Sequence, residues 1–118
     1  LAGLFRKTTG LAEVIAQAVQ PLQPELALIF GSVARGEETA TSDIDLLLIG
    51  NMGFADAVRA LQPAQVRLQR EINPVLYRAE EFARKLADND RFVTEILSGS
   101  KLFVTGNADD LGKLADNP

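Results

Sequence analysis

Two short apolar runs, Leu26–Phe30 and Leu46–Ile49, stand either side of a polar stretch, and this arrangement constrains the fold more than any other feature of the chain. Each run is too short for an independent helix and has the continuous apolar character of a buried strand. Between them come Gly31-Ser32-Val33-Ala34-Arg35-Gly36 and then Ser42-Asp43-Ile44-Asp45. Ser32–Arg35 is predicted to make one helical turn, Gly36–Ser42 a polar loop, and Asp43–Ile49 the second strand. Two strands therefore bracket a glycine–serine turn and two carboxylates, a layout suited to a metal-bound phosphate.

Around this centre the pattern alternates. Leu11, Val14, Ile15, Ala18, Val19 and Leu22 share one face of a predicted helix, capped by Thr9 and ended by Pro21 and Pro24. After the second strand, Phe54, Ala57, Val58 and Leu61 mark a helix. Pro63 suits the first position of a separate one carrying Val66 and Leu68. Glu71–Tyr77 reads as a strand, and Pro74 argues for an edge position. Glu80–Ala87 and Arg91–Leu97 read as helices, with Gly99 as a C-cap. Lys101–Thr105 is a short strand, and Asn107 caps a last helix through Leu111 and Leu114. Phe82, Phe92 and Phe103 are assigned to the core. The expected fold is α/β (α+β), a small mixed sheet with helices packed on it. A length of 118 residues fits one domain. Within it, residues 1–10 read as a linker from an upstream domain and residues 78–118 as a C-terminal extension.

Composition narrows the chemistry. The chain has no cysteine and no histidine, which excludes disulfides, thiolate nucleophiles and any Ser-His triad. Oxygen ligands remain, and they favour Mg²⁺ or Mn²⁺ over zinc or copper. The net charge of −4 argues against unaided binding to a nucleic-acid backbone. No apolar run approaches the roughly 20 residues of a membrane span and no secretory signal is visible, so a cytoplasmic location without membrane contact is expected.

Asp43 and Asp45 are two apart on a strand, so their side chains leave the same face, with Cα atoms roughly 6.5–7 Å apart. They can converge on one or two divalent ions; taken alone, the pair reads first as a strand-start turn with solvated acids and second as a metal site. Gly31 permits a tight turn and close backbone approach, and Ser32 can hydrogen-bond phosphate oxygens. Arg35 can pair with phosphate or hold the loop through Asp43 or Glu37. Arg59, Arg67, Arg70, Arg78 and Arg84 read first as a solvated face and second as a basic rim. Tyr77 reads as packing before base stacking.

Together, Gly31-Ser32, Ala34-Arg35-Gly36 and Ser42-Asp43-x-Asp45 between two buried strands resemble the signature of the nucleotidyltransferase fold, the DNA polymerase beta superfamily, and its minimal nucleotidyltransferase domains in particular. The resemblance implies that Gly31, Ser32, Arg35 and Ser42 contact a nucleoside triphosphate and that Asp43 and Asp45 bind catalytic metal. It implies transfer of a nucleoside monophosphate to a hydroxyl acceptor, a protein among the candidates, with release of pyrophosphate. Some minimal members act as antitoxins that modify a partner toxin. Active members carry a third carboxylate on a later strand, and here that position falls on Asn73. Glu71, two residues earlier and so on the same strand face, is the candidate substitute as third catalytic carboxylate. The segment Arg70–Phe82 and the opening Leu4–Leu11 also resemble proteins in which a winged-helix DNA-binding domain precedes the nucleotidyltransferase domain. DNA contact is then expected only through that upstream domain. The alternative is a weak or inactive nucleotide-sensing or partner-binding module of a transcriptional regulator or antitoxin.

Overall fold

The computed structural model describes residues 7–36 and 43–116. The elements are α1 (Lys7–Val19), a single 3₁₀ turn (Gln20–Leu22), β1 (Leu26–Phe30), α2 (Gly31–Arg35), β2 (Ile44–Ile49), α3 (Phe54–Leu68), β3 (Ile72–Tyr77), α4 (Ala79–Ala87), α5 (Arg91–Ser98), β4 (Leu102–Thr105) and α6 (Ala108–Asp116). The strands form one four-stranded sheet in the order β3-β2-β1-β4. β1 runs antiparallel to β2 and β4, whereas β2 and β3 are parallel and joined by α3. The expected mixed sheet with packed helices is what forms.

Alternation along the strands sends side chains to two cores. Ala27, Ile29, Ile44, Leu46, Leu48 and Ile72 meet α1 and α3 on one face. Leu26, Leu28, Leu47 and Ile49 meet Phe82 of α4, Val93 and Ile96 of α5, and Leu111 of α6 on the other. A sheet covered on both faces explains why β1 and β2 are apolar at nearly every position.

The structure corrects the expected boundaries in several places. Thr9 lies inside α1 and is not its cap. Pro63 does not begin a helix but sits within α3. Ala57, Leu61 and Ala64 of α3 are buried in one core cluster, and a break after Gln62 would take Ala64 off that face. Packing of this stripe outweighs the roughly 3 kcal/mol an interior proline costs. The same continuity turns Val66 outward, to 70% exposure, because it lies about 200° from Ala64 around the helix. Pro74 does occupy an edge strand, where no ladder N–H is lost to the interior. Asn107 does cap α6: its Oδ1 accepts from Asp110 N–H at 3.0 Å and Asp110 Oδ2 accepts from Asn107 N–H at 3.1 Å.

Candidate active site

The two carboxylates stand at the end of the sheet where β1 finishes and β2 begins. Asp45 is paired with Phe30 across one strand boundary and with Asn73 across the other. Gly31 follows Phe30 with φ +76°, in the left-handed region, and opens α2. A Cβ at Gly31 would run into the Asp45 carboxylate, with Asp45 Cγ itself only 3.4 Å away. The turn and the acid therefore share space that only glycine leaves open. Val33, 1% exposed, anchors α2 in the α1/α3 core. Gly36 closes the turn, its N–H directed to the carbonyls of Ser32 and Val33. Ser32 is partly buried and Arg35 exposed.

Gly31→Ala is expected to destabilise the fold by at least about 1–2 kcal/mol from the left-handed backbone alone. It should also displace Asp45, so a thermal melt and a Mn²⁺ titration should both register the change.

The carboxylates share a local field. Burial raises the Asp45 pKa above the usual carboxylate value, a hydrogen bond from the Asn73 amide opposes this, the Asp43 charge raises it further, and the Arg35 charge pulls it back. Asn73 Nδ2 also donates to Asp43 Oδ2 at 3.5 Å. Asn73 thus bridges the two acids from the neighbouring strand. A partly buried carboxylate beside a second anion gains from a divalent cation, and an all-oxygen donor set suits Mg²⁺ or Mn²⁺.

The other expected residues are placed as follows. Glu71 falls just outside β3, where its carbonyl accepts from Ile44 N–H at 2.8 Å. It is exposed and borders a shallow depression with Gln65, Val66, Gln69 and Arg70. Among the described residues, no group of three or more acids is gathered to hold a metal, so Glu71 is not brought together with Asp43 and Asp45. Ser42 and Glu37 lie outside the described residues. The five arginines do not ring the acids as a set: Arg59 pairs with Asp56 at 3.8 Å on α3, Arg67 borders a groove between α1 and α3, and Arg84 lies among Glu81, Lys85, Asp88 and Asp90. Tyr77 pairs with Ile49 at the opposite end of β2 from Asp45 and packs against Phe82 at 6.0 Å between ring centroids.

One site feature escaped the sequence reading. Phe92, expected in the core, is 41% exposed. It packs edge-on against Phe30, with centroids 5.7 Å apart and planes at 79°. These rings border a cavity of about 160 Å³ together with Gly31, Arg35, Glu95 and Ile96. The four-apart spacing of Phe92 and Ile96 predicts a common buried face. Only Ile96, at 4% exposure, reaches the core; Phe92 stands at its rim, beside the first residue of α2.

The chain matches the Polymerase beta, Nucleotidyltransferase family over residues 13–109. It belongs to that family. The match spans both acids, the Gly31–Gly36 turn and all four strands, so the family assignment and the arrangement of the site coincide. No curated protein sequence matches the chain significantly. Among solved structures, the fold is similar to a toxin–antitoxin crystal structure with AMP-PNP, at TM-score 0.64 and 17% identity over 88% of this chain and 80% of that one. It is also similar to a mutant of the toxin–antitoxin MntA–HpeT, at TM-score 0.63 and 15% identity over 88% and 80% of the two chains. At these identities the likeness concerns the fold. Among the described residues, no helix of this nucleotidyltransferase-family domain is long and apolar enough to cross a membrane.

Proposed function

We propose that this domain binds a nucleoside triphosphate with Mg²⁺ or Mn²⁺ and transfers the nucleoside monophosphate to a hydroxyl, releasing pyrophosphate. The observation that carries the reading is the close packing of the Asp45 carboxylate on Gly31, with Asp43 beside it at the same sheet end. Asp43 and Asp45 would hold the cation; when bound, it supplies charge neutralisation for the phosphates and activation of the attacking hydroxyl. Gly31 and Ser32 form the turn against which the triphosphate lies, and Arg35 adds positive charge at the same end. Ser42 is proposed as a further nucleotide contact. The likeness to toxin–antitoxin structures, one of them with AMP-PNP, supports a nucleotide substrate and favours a partner protein as the source of the hydroxyl.

Proton removal from that hydroxyl is the step this arrangement supports least. The position paired with Asp45 on β3 is Asn73, and an amide takes no proton at neutral pH. That observation favours a second reading, a module that binds nucleotide and partner without turnover. Labelled triphosphates with the whole protein and candidate partner proteins separate the two. Label transfer that disappears in Asp43→Ala supports the enzyme. Calorimetric binding of Mg²⁺-triphosphate with no transfer to any acceptor supports the module. Equal transfer by wild type and Asp43→Ala would falsify the enzyme reading, and no binding of Mg²⁺-triphosphate by the wild type would sink both. Within the enzyme reading, Glu71→Gln tests the base: a fall of about 100-fold or more in transfer with unchanged metal binding assigns that role to Glu71.

A further inference from the structure

We infer that the cavity between Phe30 and α5 receives the nucleobase of the triphosphate, with Phe92 as its stacking surface and Glu95 selecting bases that carry an amino group; this deepens the reading above and rests on it. The cavity adjoins the site through Gly31, which borders it and lies against Asp45. Its volume of about 160 Å³ is small against the ~300–1,000 Å³ of pockets that enclose a drug-sized ligand. It therefore suits one flat ring system whose phosphates continue outward past Gly31.

The walls have the required chemistry. Phe30, Phe92 and Ile96 supply apolar surface, and Phe92 stays 41% exposed beside its perpendicular contact with Phe30. Aromatic stacking on an exposed ring is the general means of holding a base without reading its sequence. Arg35, Glu95 and Ser100 supply the polar side chains, and of these Glu95 is the one that can only accept. Its Oε1 accepts from Arg91 Nε at 3.2 Å, one turn earlier in α5, in an exposed pair that leaves the other carboxylate oxygen available. An ionised carboxylate only accepts hydrogen bonds. Adenine, guanine and cytosine each present an exocyclic amino donor. Uracil presents one N–H flanked by two carbonyl oxygens, which a carboxylate repels. The cavity is therefore matched to ATP, GTP or CTP over UTP.

The test is calorimetry on the whole protein with Mn²⁺ and, in turn, tripolyphosphate, ATP, GTP, CTP and UTP, for wild type, Phe92→Leu, Phe92→Tyr and Glu95→Gln. Stacking predicts that the three amino-bearing triphosphates bind about tenfold or more tightly than tripolyphosphate, and that Phe92→Leu removes this gain while Phe92→Tyr keeps it. Selection by Glu95 predicts that Glu95→Gln narrows the gap between ATP and UTP, since an amide both donates and accepts. Tripolyphosphate affinity should stay constant across the variants, which checks that each is folded. If tripolyphosphate and ATP bind equally well in the wild type, or if Phe92→Leu binds ATP as tightly as wild type, the base does not occupy this cavity and the inference is overturned with the metal–phosphate site intact. If neither tripolyphosphate nor any nucleotide binds with Mn²⁺, both the site reading and this inference fall together.

Discussion

Asp45→Asn is expected to abolish metal-dependent nucleotide transfer while raising the melting temperature at neutral pH. The loss follows from removing one of two carboxylates proposed to hold the cation. Several kcal/mol of transition-state charge stabilisation correspond to about 10³-fold or more in rate. The gain in stability follows from electrostatics in the fold without metal. Burial raises the Asp45 pKa, and the Asp43 charge adds to it, against the weaker opposition of Asn73 and Arg35. The sign is set by linkage. Below the ordinary carboxylate pKa, Asp45 is protonated in both folded and unfolded chains and places no burden on the fold. As pH rises through the higher folded-state value, the folded chain must ionise a disfavoured group, and stability falls. Asparagine does not ionise, so the variant should melt higher than wild type at pH 7, and the difference should shrink as pH drops below about 4. Saturating Mg²⁺ or Mn²⁺ should raise the wild-type melting temperature and leave that of Asp45→Asn nearly unchanged. A variant that melts lower than wild type at neutral pH would show that the Asp45 carboxylate stabilises the fold through contacts beyond those described.

Phe82→Ala should be the most damaging single truncation. Phe82 is fully buried and heads the largest side chains of the interior. It joins α4 to the sheet face made by Leu26, Leu28, Leu47 and Ile49, and Tyr77 packs on it. Truncating a buried phenylalanine typically costs about 3–5 kcal/mol through lost transfer energy and a residual cavity. Against a typical total of about 5–15 kcal/mol, this lowers the melting temperature by well over ~10 °C. The contrast with Phe92 gives the check. Phe92→Leu, at the cavity rim, should shift the melt by a few degrees at most while altering nucleotide binding. Comparable thermal losses in the two variants would mean that Phe92 is as much a core residue as Phe82.

The residues that were legible in advance share a reason. β1 and β2 are continuous apolar runs because both sheet faces are covered, so they could be seen without any knowledge of their neighbours. Gly31 was legible because a glycine after an apolar run signals a tight turn, and it does adopt the left-handed φ that such a turn uses. The elements misjudged are those whose fate depends on a partner surface. Pro63 signalled a boundary by local stereochemistry, but the buried stripe Ala57, Leu61 and Ala64 carried the helix through it. Phe92 and Ile96 have the spacing of a common face, yet the sheet beneath α5 covers only Ile96 and leaves Phe92 at the edge.

The sequence by itself held the glycine–serine turn, the pair of acids two residues apart and the absence of histidine and cysteine, and the first two carry the resemblance to the family. Those follow from local spacing and composition, which need no third dimension. Tertiary structure alone decided that Asn73 pairs with Asp45 and bridges to Asp43, that Glu71 stays outside the pair of acids, and that Phe92 opens a cavity beside Gly31. Strand register and helix docking set these relations across sequence separations of 28 positions from Asp45 to Asn73 and 61 from Gly31 to Phe92, distances over which no local pattern in the chain carries information.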